Sequence, residues 1–144
     1  VNLPALLAGS VDHLTMREKV FAIEAEMRKH PPLDLPLKHH FSQGLYAREL
    51  FIPKGTLLTG KVHKFEQLNI MSQGDMSVLT EDGIVRVQAP FTVVSPPGTK
   101  RIAFAHEDTV WTVILATEET DVAKLEAYFV TDGDQLKEIE ECLS

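Results

Sequence analysis

Cysteine is nearly absent: Cys142 is the single thiol, so neither an internal disulfide nor a cysteine-based zinc site is available. Basic residues are scarce as well, 14 Lys and Arg against 21 Asp and Glu, giving a formal net charge of -7 with no Lys/Arg-rich block. That balance argues against association with phosphate backbones or anionic lipid, and neither nucleic acid nor a membrane is expected as a partner. No apolar run approaches the roughly 18 residues a membrane helix needs. The opening Val1 to Ser10 is mildly apolar but has no basic leading region, so a signal peptide is not expected; with no initiator Met, the start is expected to be truncated or processed. Also missing are a nucleophile elbow, a phosphate-cradling glycine loop and a His-Glu-x-x-His helix. The cysteine usage suits a reducing compartment, the cytoplasm of a bacterium or of an infected host cell.

What is present is an ordinary globular composition, 44% apolar and 24% charged over 144 residues, enough for one core and therefore one domain spanning 1–144. Residues 1–36 read as a helical extension. Thr15 followed by Glu18 forms a capping box, Met16, Val20, Ile23 and Met27 recur at helical spacing, and Pro31-Pro32 ends the run. Leu33 to Pro36 is then an extended connector, and the adjacent His39 and His40 fall in a solvated loop. From 45 to 117 short apolar runs alternate with turn chemistry. The expected strands are Leu45–Ile52, Leu57–His63, Gln67–Ser72, Met76–Thr80, Ile84–Gln88, Phe91–Ser95, Ile102–His106 and Val110–Ala116. Asp82-Gly83 is a hairpin signal. So many short strands without intervening helices predict a sandwich or barrel. Residues 120–144 read as a C-terminal helical segment, with Thr120 as the cap for Val122, Leu125 and Phe129, a break at Thr131 to Asp134, and an acidic amphipathic stretch from Gln135 to Leu143.

The middle region resembles the cupin superfamily. Its first motif is matched by the stretch from Gly55 to Asp75, which contains Gly60, His63 and Gly74; its second is matched by Pro96-Pro97-Gly98-Thr99-Lys100-Arg101. The resemblance covers about half the chain and implies a mainly β, double-stranded β-helix barrel, and by its habit of strand exchange a homodimer. Counting back from Gly74 puts Gln67 at the usual ligand Glu, His63 at the second His of the pair and Lys61 at the first. Counting forward from Pro96 puts Arg101 at the remaining ligand His. An ammonium and a guanidinium have no lone pair for a metal, and their charge repels a cation. A weaker resemblance, carried by Leu45 to Glu49 and His106 to Thr112, is to small uncharacterised cupin-like proteins of tailed phages. It implies no activity.

Strand alternation gives Lys61, His63, Gln67 and Asn69 one parity, and groups Arg101 with Ala103 and Ala105 against Ile102, Phe104 and His106. An inward Arg101 with small alanines behind it describes a concave site with a few polar groups. His63, Gln67, Arg101 and Lys61 are therefore the candidate ligand-binding residues, with a small polar or anionic molecule as the expected ligand and no cofactor expected. The competing role for Arg101 is an ion pair with Glu49 or Glu107 at the rim. Two other functions stand beside this one: a divalent-metal enzyme of isomerase or oxygenase type, its metal held by His63, Gln67 and His106, and a structural or protein-interaction module. Glu66 or Glu49, expected near His63, is the candidate carboxylate for general acid or base work. No catalytic residue is assigned. Trp111 and Phe104 are expected to fill the core.

Overall fold

The computed structural model describes residues 35–59, 62–80, 83–99 and 101–131, together with Glu18, Ala22, Ile23, Ala25 and Lys29. In chain order the elements are β1 (Leu37–Ser42), β2 (Leu45–Ile52), β3 (Leu57–Thr59), β4 (Val62–His63), β5 (Gln67–Gln73), β6 (Asp75–Thr80), β7 (Gly83–Gln88), β8 (Phe91–Ser95), β9 (Ile102–Ala105), β10 (Thr109–Ala116), α1 (Val122–Phe129) and β11 (Val130–Thr131). All strand pairs are antiparallel. They make a five-stranded sheet ordered β1-β2-β10-β5-β8, a four-stranded sheet ordered β3-β9-β6-β7, and the small pair β11-β4. Apart from the hairpins β1-β2 and β6-β7, consecutive strands fall in different sheets, so the chain crosses repeatedly between layers.

Each layer buries one face, and alternation decides which side chains lie between them. Ile52 and Met71 from the five-stranded sheet, and Met76, Val78, Val87, Ala103 and Ala105 from the other, form one buried cluster with Leu50, Leu58, Phe91 and Trp111 packed against it. The chain passes from β5 to β6 through Gly74, whose φ is +114°. A Cβ there would lie 2.6 Å from the Thr109 Cα, so this close passage of two backbones admits only glycine. On the outer face of the four-stranded sheet, Leu79 and its register partner Ile102 are completely buried.

The mainly β architecture expected from the turn spacing is present, as is a C-terminal helix, and β2 and β8 have the expected bounds. Three expectations need correction. His39 and His40 lie in a strand, β1, not a loop: His39 Nδ1 is 2.7 Å from the Tyr46 hydroxyl and His40 is 3.4 Å from the Glu49 carboxylate. A paired edge strand with exposed side chains shows no period-2 apolar pattern, so β1 reads as loop in sequence. Asp121, not Thr120, caps α1, because its carboxylate accepts the Lys124 amide at 3.1 Å. The expected strand Leu57–His63 is two strands, β3 and β4, with 60–61 outside the described residues. The expected leading helix, with Met16, Val20 and Met27 of its stripe, lies outside the described residues except for the five named above; of these, Ile23 is buried. The stretch Gln135 to Leu143 lies outside them too. Among the described residues no helix is long and apolar enough to cross a membrane.

Candidate functional site

Register builds the inner face of the five-stranded sheet in rows. Leu50, Trp111, Met71 and Phe91 are cross-strand partners in one row, which is wholly apolar but for the indole N–H. The next row, about 7 Å along the strands, joins Arg48, Val113, Asn69 and Val93. Beyond it Gln67 pairs with Ser95. The interior thus changes from hydrocarbon to polar along its length.

Asn69 is the hub of the polar part. It is 1% exposed, donates to Ser95 Oγ at 2.7 Å and to the Val93 carbonyl at 3.4 Å, and accepts from the Trp111 indole at 3.2 Å. A buried amide with its partners supplied costs little and fixes its neighbours. Trp111, expected only as core, also anchors this network. Gln67, 5% exposed, gives its Nε2 to Asn69 Oδ1 at a long 3.5 Å, while its Oε1 is buried without a partner.

His63 belongs to β4, which pairs with β11 through Val130. The His63 carbonyl accepts the Gly98 amide at 2.8 Å, tying the Pro96-Pro97-Gly98 turn to this strand. Its ring Nδ1 is buried and unpartnered. Burial, assisted by the charges of Arg48 and Arg101, pushes its pKa down from 6.5 to about 4, so the imidazole is neutral at pH 7. Arg101 precedes β9 on the parity of Ala103 and Ala105, which are core residues. Its guanidinium is half-buried, and that desolvation lowers its pKa. Among the described residues no carboxylate lies within ion-pair distance of it: Glu107 pairs with Lys54 at 3.6 Å, and Glu49 faces the outside with Lys38 at 3.9 Å. The rim ion pair weighed for Arg101 is not formed.

The charges of Arg48 and Arg101 act on His63, and Gln67 is buried beside Asn69; Lys61 lies outside the described residues. The fold does not bring His106 into the interior. His106 sits on the outer face of the four-stranded sheet, with its Nε2 2.7 Å from Ser77 Oγ and its ring edge-on to Phe104. The set His63, Gln67 and His106 is separated by a sheet. Glu66 is exposed. Sequence reasoning missed Arg48, whose charge acts on His63 and whose Nη2 lies 3.6 Å from the Glu126 carboxylate of α1. The period-2 pattern Tyr46, Arg48, Leu50, Ile52 on β2 carried that signal. The positive charges of Arg48 and Arg101 that act on His63 disfavour a cation beside it, and among the described residues no group of three or more His, Cys, Asp or Glu is placed to hold a metal ion.

No protein-family model matches the chain, and no curated protein matches it. Solved structures do. KdgF from Halomonas sp. is 20% identical over 65% of this chain and 93% of its own, with a TM-score of 0.51. A cupin domain from Bordetella pertussis is 14% identical over 61% of this chain and 98% of its own, at TM-score 0.47. An acetylacetone dioxygenase from Acinetobacter johnsonii is 15% identical over 57% of this chain and 59% of its own, at TM-score 0.48. Structures similar to this chain thus include cupin-domain proteins, and at these identities the likeness is one of fold.

Proposed function

We propose that this is a cupin-type barrel protein that binds a small anionic molecule at its polar end, without a metal, through Arg101, His63 and Gln67. One observation carries the proposal: Arg101 is a half-buried guanidinium with no carboxylate partner among the described residues. Leaving a desolvated charge uncompensated is unfavourable, and a carboxylate or phosphate offers it a bidentate, charge-assisted contact. The neutral imidazole beside it supplies a hydrogen-bonding group without adding positive charge. A metal enzyme of the acetylacetone dioxygenase kind gains no support from these donors.

The test is a thermal-shift screen of small carboxylates and phosphates on native protein and on Arg101→Met. A ligand at about a hundred times its Kd stabilises by about 2.7 kcal/mol, which for a domain of this size raises Tm by roughly 5–10 °C. The shift should vanish in Arg101→Met, while the unliganded variant melts no lower than native, because a lone buried charge has been replaced by a hydrocarbon chain. An anion that stabilises both proteins equally, or the absence of any stabilising anion, refutes the proposal.

A further inference from the structure

Ser77 and His106 form a pair on the opposite side of the four-stranded sheet from the barrel interior. Along β6, Met76 and Val78 point into the core, so Asp75, Ser77 and Leu79 take the outer face. The Leu79 end of that face is closed, since Leu79 and Ile102 are completely buried. The other end is open enough for Ser77 and His106 each to be partly exposed. There His106 Nε2 lies 2.7 Å from Ser77 Oγ, within the range at which a base takes a hydroxyl proton. With its own proton on Nδ1, the imidazole presents Nε2 as the acceptor of the Ser77 O–H.

Two contacts hold the imidazole in place. The His106 amide donates to the Asp75 carbonyl at 2.8 Å. Phe104, a register partner of Ser77, meets the imidazole edge-on with the ring centroids 5.1 Å apart. The Asp75 carboxylate is near enough for its charge to interact with His106, so an imidazolium formed there has a counter-charge. That carboxylate is itself fixed, accepting from Arg86 at 2.8 and 2.9 Å and from Gln88 at 2.9 Å. Arg86 is the register partner of Ser77 on its other flank, which puts a cation on the face where an oxyanion would form. Asp75, and Glu107 next to His106 in the chain, also line an open cleft of about 540 Å³.

We propose that Ser77 is a nucleophile with His106 as its general base, and that this outer face is a second site, one that hydrolyses small esters. Ser77 Oγ bonds to the acyl carbon while its proton passes to His106 Nε2. The tetrahedral oxyanion collapses, the ester C–O bond breaks, and the departing alcohol takes the proton from Nε2. Water then attacks the acyl carbon, His106 again accepting a proton and returning it to Oγ as the carboxylic acid leaves. Phe104 offers an apolar surface beside the pair, which favours an ester with an aromatic or hydrocarbon group.

Reaction with p-nitrophenyl acetate is the test. Lysines and free imidazoles also attack this ester, so the position of the acetyl group decides. Native protein should release about one p-nitrophenolate per chain in an initial burst, and peptide mass spectrometry should place the acetyl on Ser77. Ser77→Ala should abolish the burst, and His106→Gln should slow acylation by about a hundredfold or more. Where deacylation is the faster step, the steady-state rate replaces the burst in the same two comparisons. Both positions are partly exposed, and melting curves verify that the variants fold. Acetyl found on lysines or His106 but not on Ser77 overturns the proposal. So does Ser77→Ala reacting as native protein does, or a rate unmoved in His106→Gln.

Discussion

Lowering the pH probes the His63 environment directly. In the folded chain its pKa is about 4, against 6.5 for a free imidazole. The folded state thus resists a proton that the unfolded chain accepts. Between these two values the unfolded chain binds more protons, so unfolding free energy rises with pH across that window. The contribution of His63 is fully present above about pH 6.5 and is lost as pH falls to about 4. At about 1.4 kcal/mol for each pH unit between the two pKa values, the loss is on the order of 3 kcal/mol, a large share of a small domain's stability. Asp75 does not blur the result. Hydrogen bonds from Arg86 and then Gln88 hold its carboxyl at about 2 instead of 3.8, so its stabilisation is lost only in the more acidic range below His63's window. Urea unfolding at a series of pH values, followed by fluorescence of the single tryptophan, Trp111, gives the curve. Native protein should lose about 3 kcal/mol between pH 6.5 and 4 that His63→Gln retains. Parallel curves for the two proteins over that interval would show that His63 is not held neutral by burial, and the electrostatic account of the site would fall with it.

Two further substitutions test the scaffold around the site. Asn69→Leu has nearly the same volume but strands the Trp111 indole, the Ser95 hydroxyl and the Gln67 amide, so urea unfolding should show a loss of about 2–4 kcal/mol. Gly74→Ala must place a methyl group 2.6 Å from the Thr109 Cα, whereas Gly55→Ala, at φ +85° with open space around it, bears only the left-handed backbone cost of about 1 kcal/mol. Gly74→Ala should therefore be at least about 2 kcal/mol less stable than Gly55→Ala; equal stabilities would show that the two backbones are not in contact there.

The barrel strands were legible because turn residues punctuate them: Pro53 to Gly55, Gly74 and Pro96 to Gly98 mark ends the structure respects. Alternation, applied outward from Arg101, likewise sorts Ala103 and Ala105 from Phe104 and His106 correctly. What sequence conceals is charge placed by tertiary contact. Arg48 sits in an ordinary strand, and only the packed fold lets its charge act on His63 and brings Glu126 of α1 to within 3.6 Å of it. Asn69 likewise gains its role from partners 26 and 42 residues away, Ser95 and Trp111. The edge strand β1 was invisible for a different reason. With its side chains largely in water, hydrophobic burial leaves no imprint on its pattern.

The row-by-row segregation of the interior has an evolutionary corollary. Folding energy is concentrated in the methionine, isoleucine and valine floor, and the recognition proposed above in a handful of groups beyond it. On that proposal, Arg101 and its neighbours can be exchanged without endangering the floor, and a descendant of this chain could acquire a new ligand through a few substitutions at one end of the barrel. The same floor that makes the molecule durable leaves its specificity free to drift.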